Sequence, residues 1–188
     1  MGAGSSLLAS SNPSPSSSPS SPHLSFSSSS LSGLEADARF AVEDANARFY
    51  AAFRSGSASA MAAAWGAGDH VQVIHPGGGC IAGRDAVLES WGIVTGGAGL
   101  DIGLRDVRVL APPGSPVAVV TCLELVDVGD ARGRNVATNV FEWQADADEK
   151  GEAGGGAVVG GPGGAWKLVL HHASPAPRPV MRPAQGRL

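Results

Sequence analysis

The residues of this sequence that could move protons are four of its five histidines, His70, His75, His171 and His172, and three acids set into apolar stretches, Glu124, Glu142 and Asp101. A neutral imidazole near pH 7 can give or take a proton. That makes His75 and His172 candidates for acid–base work; histidines satisfied in hydrogen bonds are the alternative. In an extended strand His70 and His75, five positions apart, face opposite sides, as do the adjacent His171 and His172. A metal site would need His75 to meet one of the C-terminal pair across a sheet and to recruit a carboxylate or Cys80. No metal site is therefore expected, and Cys80 and Cys122 read as reduced thiols. Glu124 shares its strand parity with Val120, Cys122 and Val126, and Asp101 alternates with Leu100 and Ile102. A carboxyl so placed either faces a pocket or is solvated or paired, and both readings stand. Trp65, Trp91, Trp143, Trp166, Phe49, Phe53 and Phe141 read as core. Phe53, Trp65, Trp91 and Phe141 are also candidates for the wall of a pocket that takes a flat apolar ligand. The glycine clusters at 154–156 and 160–164 fit neither a dinucleotide fingerprint nor a P-loop, so no cofactor is expected.

These side chains need elements to hold them. Val42, Ala45, Phe49, Ala52 and Phe53 recur at three- and four-residue steps, which predicts a helix over Leu34–Arg54. Ser57 can cap a short second helix through Ala60, Met61 and Trp65. His70–His75 has strand composition and stops at Pro76, with Cys80 in the loop beyond. A third helix follows from Arg84 to Val94. After Leu100 the apolar period changes to two, and its parity breaks: Leu100, Ile102 and Leu104 share one phase, Val107 and Val109 the other. One extra residue in a strand produces such a break, so a β-bulge and a sharply bent sheet are expected. Strands at Val117–Val126, Asn135–Gln144 and Trp166–Ala173 follow, the last two joined by a Gly-rich loop. Helices gathered at the front and strands at the back imply an α+β fold.

Composition divides the 188 residues into three parts. Residues 1–34 are rich in Ser and Pro and contain no charged side chain, a composition that cannot offset its ordering entropy and reads as a disordered leader. Abundant Ser without acids suits an organelle transit peptide, with chloroplast favoured over a cytoplasmic location; Gly2 and Ser6 also fit an acylation pattern. Residues 35–175 form one domain, and 176–188 form a basic, Pro-rich tail. With a net charge of −4 and no basic block, nucleic-acid binding is not expected. No apolar run approaches the roughly 18–20 residues that a membrane span needs.

His75–Pro76–Gly77, Gly83–Arg84–Asp85–Ala86–Val87 and Ser90–Trp91, then Ala137–Phe141, Trp166–Val169 and His171–Pro175, together resemble the SnoaL-like branch of the nuclear transport factor 2-like superfamily in its plant-type form. The resemblance implies a cone-shaped, cystatin-like roll: a strongly curved antiparallel sheet wrapped around N-terminal helices and enclosing a pocket. Its cyclase and isomerase members place an acid in an apolar pocket, where desolvation raises the pKa. It implies three activities: binding of a small apolar ligand with homodimerisation, cyclase- or isomerase-like proton transfer, or protein interaction. A shared fold does not choose among them.

Overall fold

The computed structural model describes residues 28–128, 131–146 and 159–177. The leader up to residue 27, most of the Gly-rich stretch and the tail from 178 lie outside the described residues. The helices are α1 (Ser28–Ser55), α2 (Ala58–Ala64) and α3 (Arg84–Thr95). The strands are β1 (Gln72–Ile74), β2 (Cys80–Ala82), β3 (Asp101–Leu110), β4 (Val117–Val128), β5 (Ala131–Ala145) and β6 (Gly164–Pro175). They form one open six-stranded sheet in the order β2-β1-β6-β5-β4-β3, in which only the β1–β6 contact is parallel. No described helix is long and apolar enough to cross a membrane.

The amphipathic stripe of α1 makes it the central helix. Val42, Ala45, Phe49, Tyr50, Ala52 and Phe53 are all buried against the sheet and the other helices. The helix begins at Ser28, inside the segment read as leader, because extending an existing helix costs far less than nucleating one. Ser57 caps α2 as its position suggests, its Oγ accepting from the Ala60 amide at 3.2 Å. Cys80 lies in β2, an edge strand of three residues, rather than in a loop; it pairs with β1 through Ile74↔Cys80.

Two irregularities bend the sheet. The β3–β4 register shifts between Arg105 and Arg108, where Asp106 adopts φ 54°, and this is the bulge expected from the parity break. A second shift between Val140 and Phe141 lies on the β5–β6 ladder. An extra residue increases local twist, so β3 to β6 arch over α1. At the far end of α1 the chain is packed backbone against backbone. Gly99 has φ +76°, and a methyl group there would overlap the Arg54 carbonyl, whereas Gly97, at φ +73°, faces open space. Gly97→Ala should therefore cost about 1 kcal/mol for its left-handed backbone alone, and Gly99→Ala at least twice that. Urea denaturation of the two variants checks the order; equal losses would mean that the α1–β3 junction is loose.

Candidate functional site

The concave face of the sheet carries polar groups in the middle of an apolar interior. On β4 the inward residues are Ala118, Val120, Cys122 and Glu124, on β5 Ala137, Asn139 and Phe141, and on β6 Leu168, His171 and Ala173. The register sets Glu124 beside Asn135 and Asn139 beside His171. α1 adds Asn46 and Tyr50, one helical turn apart. All but Asn135 are at least nine-tenths buried, with Glu124 2% exposed, Asn139 0% and His171 1%.

Their hydrogen bonds form one directed chain. His171 Nδ1 lies 2.7 Å from Asn139 Oδ1, which can only accept, so this nitrogen carries the proton. Asn139 Nδ2 donates to Asn46 Oδ1 at 2.8 Å and to the Tyr50 hydroxyl at 3.3 Å. Tyr50 donates to Glu124 Oε1 at 2.9 Å, and Asn135 Nδ2 donates to Oε2 at 3.2 Å. Cys122 Sγ lies 3.3 Å from the Tyr50 hydroxyl. Burial raises the Glu124 carboxyl above the ordinary glutamate range, opposed in part by the bonds from Tyr50 and Asn135. Burial also holds the Tyr50 hydroxyl well above its usual value, with the charge of Glu124 adding to it. His171 is pushed down to about 3, by burial first and then by His75 and His172. His171 Nε2 and Glu124 Oε1 are 3.8 Å apart, but these directions favour the neutral forms of both, so the contact is not an ion pair.

Around this chain the cup is filled. Phe49 stands at its centre, its ring 4.8 Å from that of Tyr50, 5.5 Å from Trp91 and 5.3 Å from His171. Phe53, Trp65, Trp91 and Phe141, the expected pocket wall, are all buried; the first three pack with Phe49 in one aromatic stack. The two main clefts lie on the helical side. One, about 620 Å³, runs between α1, α2 and the start of β6; the other, about 150 Å³, lies between α1, α2 and α3.

The other candidates fall outside the chain of bonds. His75 is half-buried above Trp91, its Nε2 3.0 Å from Ser90 Oγ, and burial lowers its pKa. His172 points to the convex face and bonds Ser174 at 2.9 Å. Asp101 is exposed at the start of β3, opposite Asp127. Glu142 meets His70 at 2.9 Å on the surface. Among the described residues no group of three His, Cys, Asp or Glu is placed to hold a metal ion.

Sequence reasoning singled out Glu124 but missed Asn46, Tyr50 and Asn139. The available signal was polarity in apolar phase: Asn46 and Tyr50 continue the stripe from Val42 at four-residue steps, and Asn139 shares parity with Ala137 and Phe141.

The convex face is different in kind. Register places Leu110, Val119, Val140 and Leu170 in one cross-strand row, and Leu123 beside Val136 in another. No described element packs against these rows, and Leu110 is 64% and Val136 52% exposed.

Residues 42–147 match the SnoaL-like domain family. Among curated proteins none matches the sequence. A solved structure of a proposed calcium/calmodulin-dependent protein kinase type II association domain from Thiobacillus denitrificans is 30% identical, over 72% of this chain and 94% of that one, with a TM-score of 0.56. A proposed dehydratase of the NTF2-like family from Streptomyces avermitilis is 28% identical over 74% and 96% of the two chains, TM-score 0.57. The CaMKII hub of S. rosetta, 24% identical over 73% and 96%, shares the fold with a TM-score of 0.51.

Proposed function

The chain belongs to the SnoaL-like domain family, and from that premise we propose that it is an association module, pairing with a second copy through the convex face of its sheet. The observation that carries this reading is the uncovered apolar surface of β3 to β6, where Leu110, Val117 and Val136 are 64%, 43% and 52% exposed. Contiguous apolar surface left uncovered on a folded domain marks an interaction site. The likeness to proteins described as an association domain and a hub supports the same reading. The filled cup weighs against rival uses of the fold. A cyclase or isomerase substrate would have to displace Phe49 or Trp91 to reach His171, and an apolar ligand inside the cone would meet the same side chains. On this reading the polar chain fixes how α1 seats in the sheet and carries no reaction.

A two-fold contact is self-complementary, so one substitution is counted twice in a dimer. Val136→Asp should therefore abolish pairing and leave a folded monomer by light scattering after size exclusion. Ile93→Asp, at a 77% exposed position on α3, should leave the assembly intact. A Val136→Asp chain that still pairs, or an Ile93→Asp chain that does not, would move the interface off the sheet.

A further inference from the structure

The cleft between the three helices is a site of its own, and its argument does not rest on the pairing of two chains. It encloses about 150 Å³ and is walled by Ala52, Met61, Leu88, Trp91, Gly92 and Thr95. An apolar cavity of roughly this size stays dry and takes up a molecule as large as benzene. Trp91 is 2% exposed, and its indole N–H has no acceptor among the described residues. A buried donor left without a partner is costly, and an acceptor delivered by a ligand would recover that loss. The polar groups nearest to hand are already engaged: Thr95 Oγ1 donates to the Trp91 carbonyl at 2.9 Å, and the Ala60 amide donates to Ser57 Oγ. The cleft thus combines apolar walls, the size of one ring and one unused donor, with no charged group in its lining.

We propose that this cleft binds a small, flat, uncharged molecule with one hydrogen-bond acceptor, such as an aromatic ketone or aldehyde, and that Trp91 donates to that acceptor. It lies in the helical layer, separated from the polar chain of the cup by the ring of Trp91, which stands 5.4 Å from that of His171. Gly92 is the natural place to close it, since a side chain there meets nothing within 4 Å of its Cβ.

The experiment titrates acetophenone, and ethylbenzene as its partner without an acceptor, into the full chain labelled with ¹⁵N, and follows the indole N–H resonances. Both probes should bind; acetophenone alone should move the Trp91 indole proton downfield. Trp91→Phe keeps a ring and removes the donor, and should weaken acetophenone about tenfold while leaving ethylbenzene within about twofold. Gly92→Leu fills the cleft and should remove both probes, its unchanged amide spectrum elsewhere showing that the fold persists. Three results would overturn the proposal: no binding of either probe, equal losses for both in Trp91→Phe, or undiminished binding in Gly92→Leu.

Discussion

Phe49→Ala should lower the free energy of unfolding by about 4 kcal/mol, the upper part of the range for a buried aromatic ring cut to a methyl group. Phe49 is 0% exposed, and its ring touches those of Tyr50, Phe53, Trp65, Trp91 and His171. No neighbour can swing into the space without leaving a hole behind it, and the void would open beside the hydroxyl of Tyr50 and the imidazole of His171. Against the 5–15 kcal/mol typical of a whole domain, the loss takes much of the margin. Phe40→Ala, at 73% exposure on the same helix, should stay within about 0.5 kcal/mol. Urea denaturation reads both. A loss below about 1 kcal/mol at Phe49 would mean that the cup is a yielding hollow, and the readings set aside above, a ligand or substrate inside the cone, would return.

The second large effect is a pH dependence. His171 is held near 3 in the folded chain, while an exposed histidine titrates near 6.5. Between those values the unfolded chain binds a proton that the folded chain refuses, so stability falls as pH falls through that window. From pH 7 to pH 4.5 the loss from this group alone is about 3 kcal/mol. Glu124 acts in the opposite sense. Its raised carboxyl keeps a proton that the unfolded chain gives up, so its contribution declines as pH rises from 4.5 towards the folded value. The two overlap, and the comparison that isolates His171 is wild type against His171→Asn, which keeps a donor for Asn139 Oδ1 and has no charge to gain. The gap between their urea-derived stabilities should shift by about 3 kcal/mol in favour of the variant between pH 7 and pH 4.5. Parallel profiles would mean that water reaches the imidazole and that the polar chain is open.

Much of this fold could be read from side-chain period. The step of 3.6 marked α1 and α3, and the change to two marked the sheet. The parity break after Leu104 located the bulge at Arg105–Arg108 because each extra residue inverts every later side chain. β2 was not legible: three residues carry no period, and Cys80–Ala82 is a strand only because β1 lies beside it. The histidine pair shows the other limit. Adjacency predicts that His171 and His172 point apart, and they do, but which one enters the cup depends on the shift between Val140 and Phe141. That shift buries Leu168, Val169 and His171 together, against strict alternation, so His172 was a candidate where His171 is the buried residue. Glu124 was visible as a carboxyl in apolar phase. Its partners Tyr50, Asn139 and Asn46 come from elements 74 to 93 residues apart in pairwise contact, and only the folded topology joins them.

The central claim is that the work of this domain lies on the outside of its sheet, with the cup serving as core. Sedimentation equilibrium of the full chain tests it most directly. The account predicts a mass of twice 18.8 kDa that dissociates on dilution without unfolding. A single species of 18.8 kDa at every concentration from low micromolar to near-millimolar would contradict it.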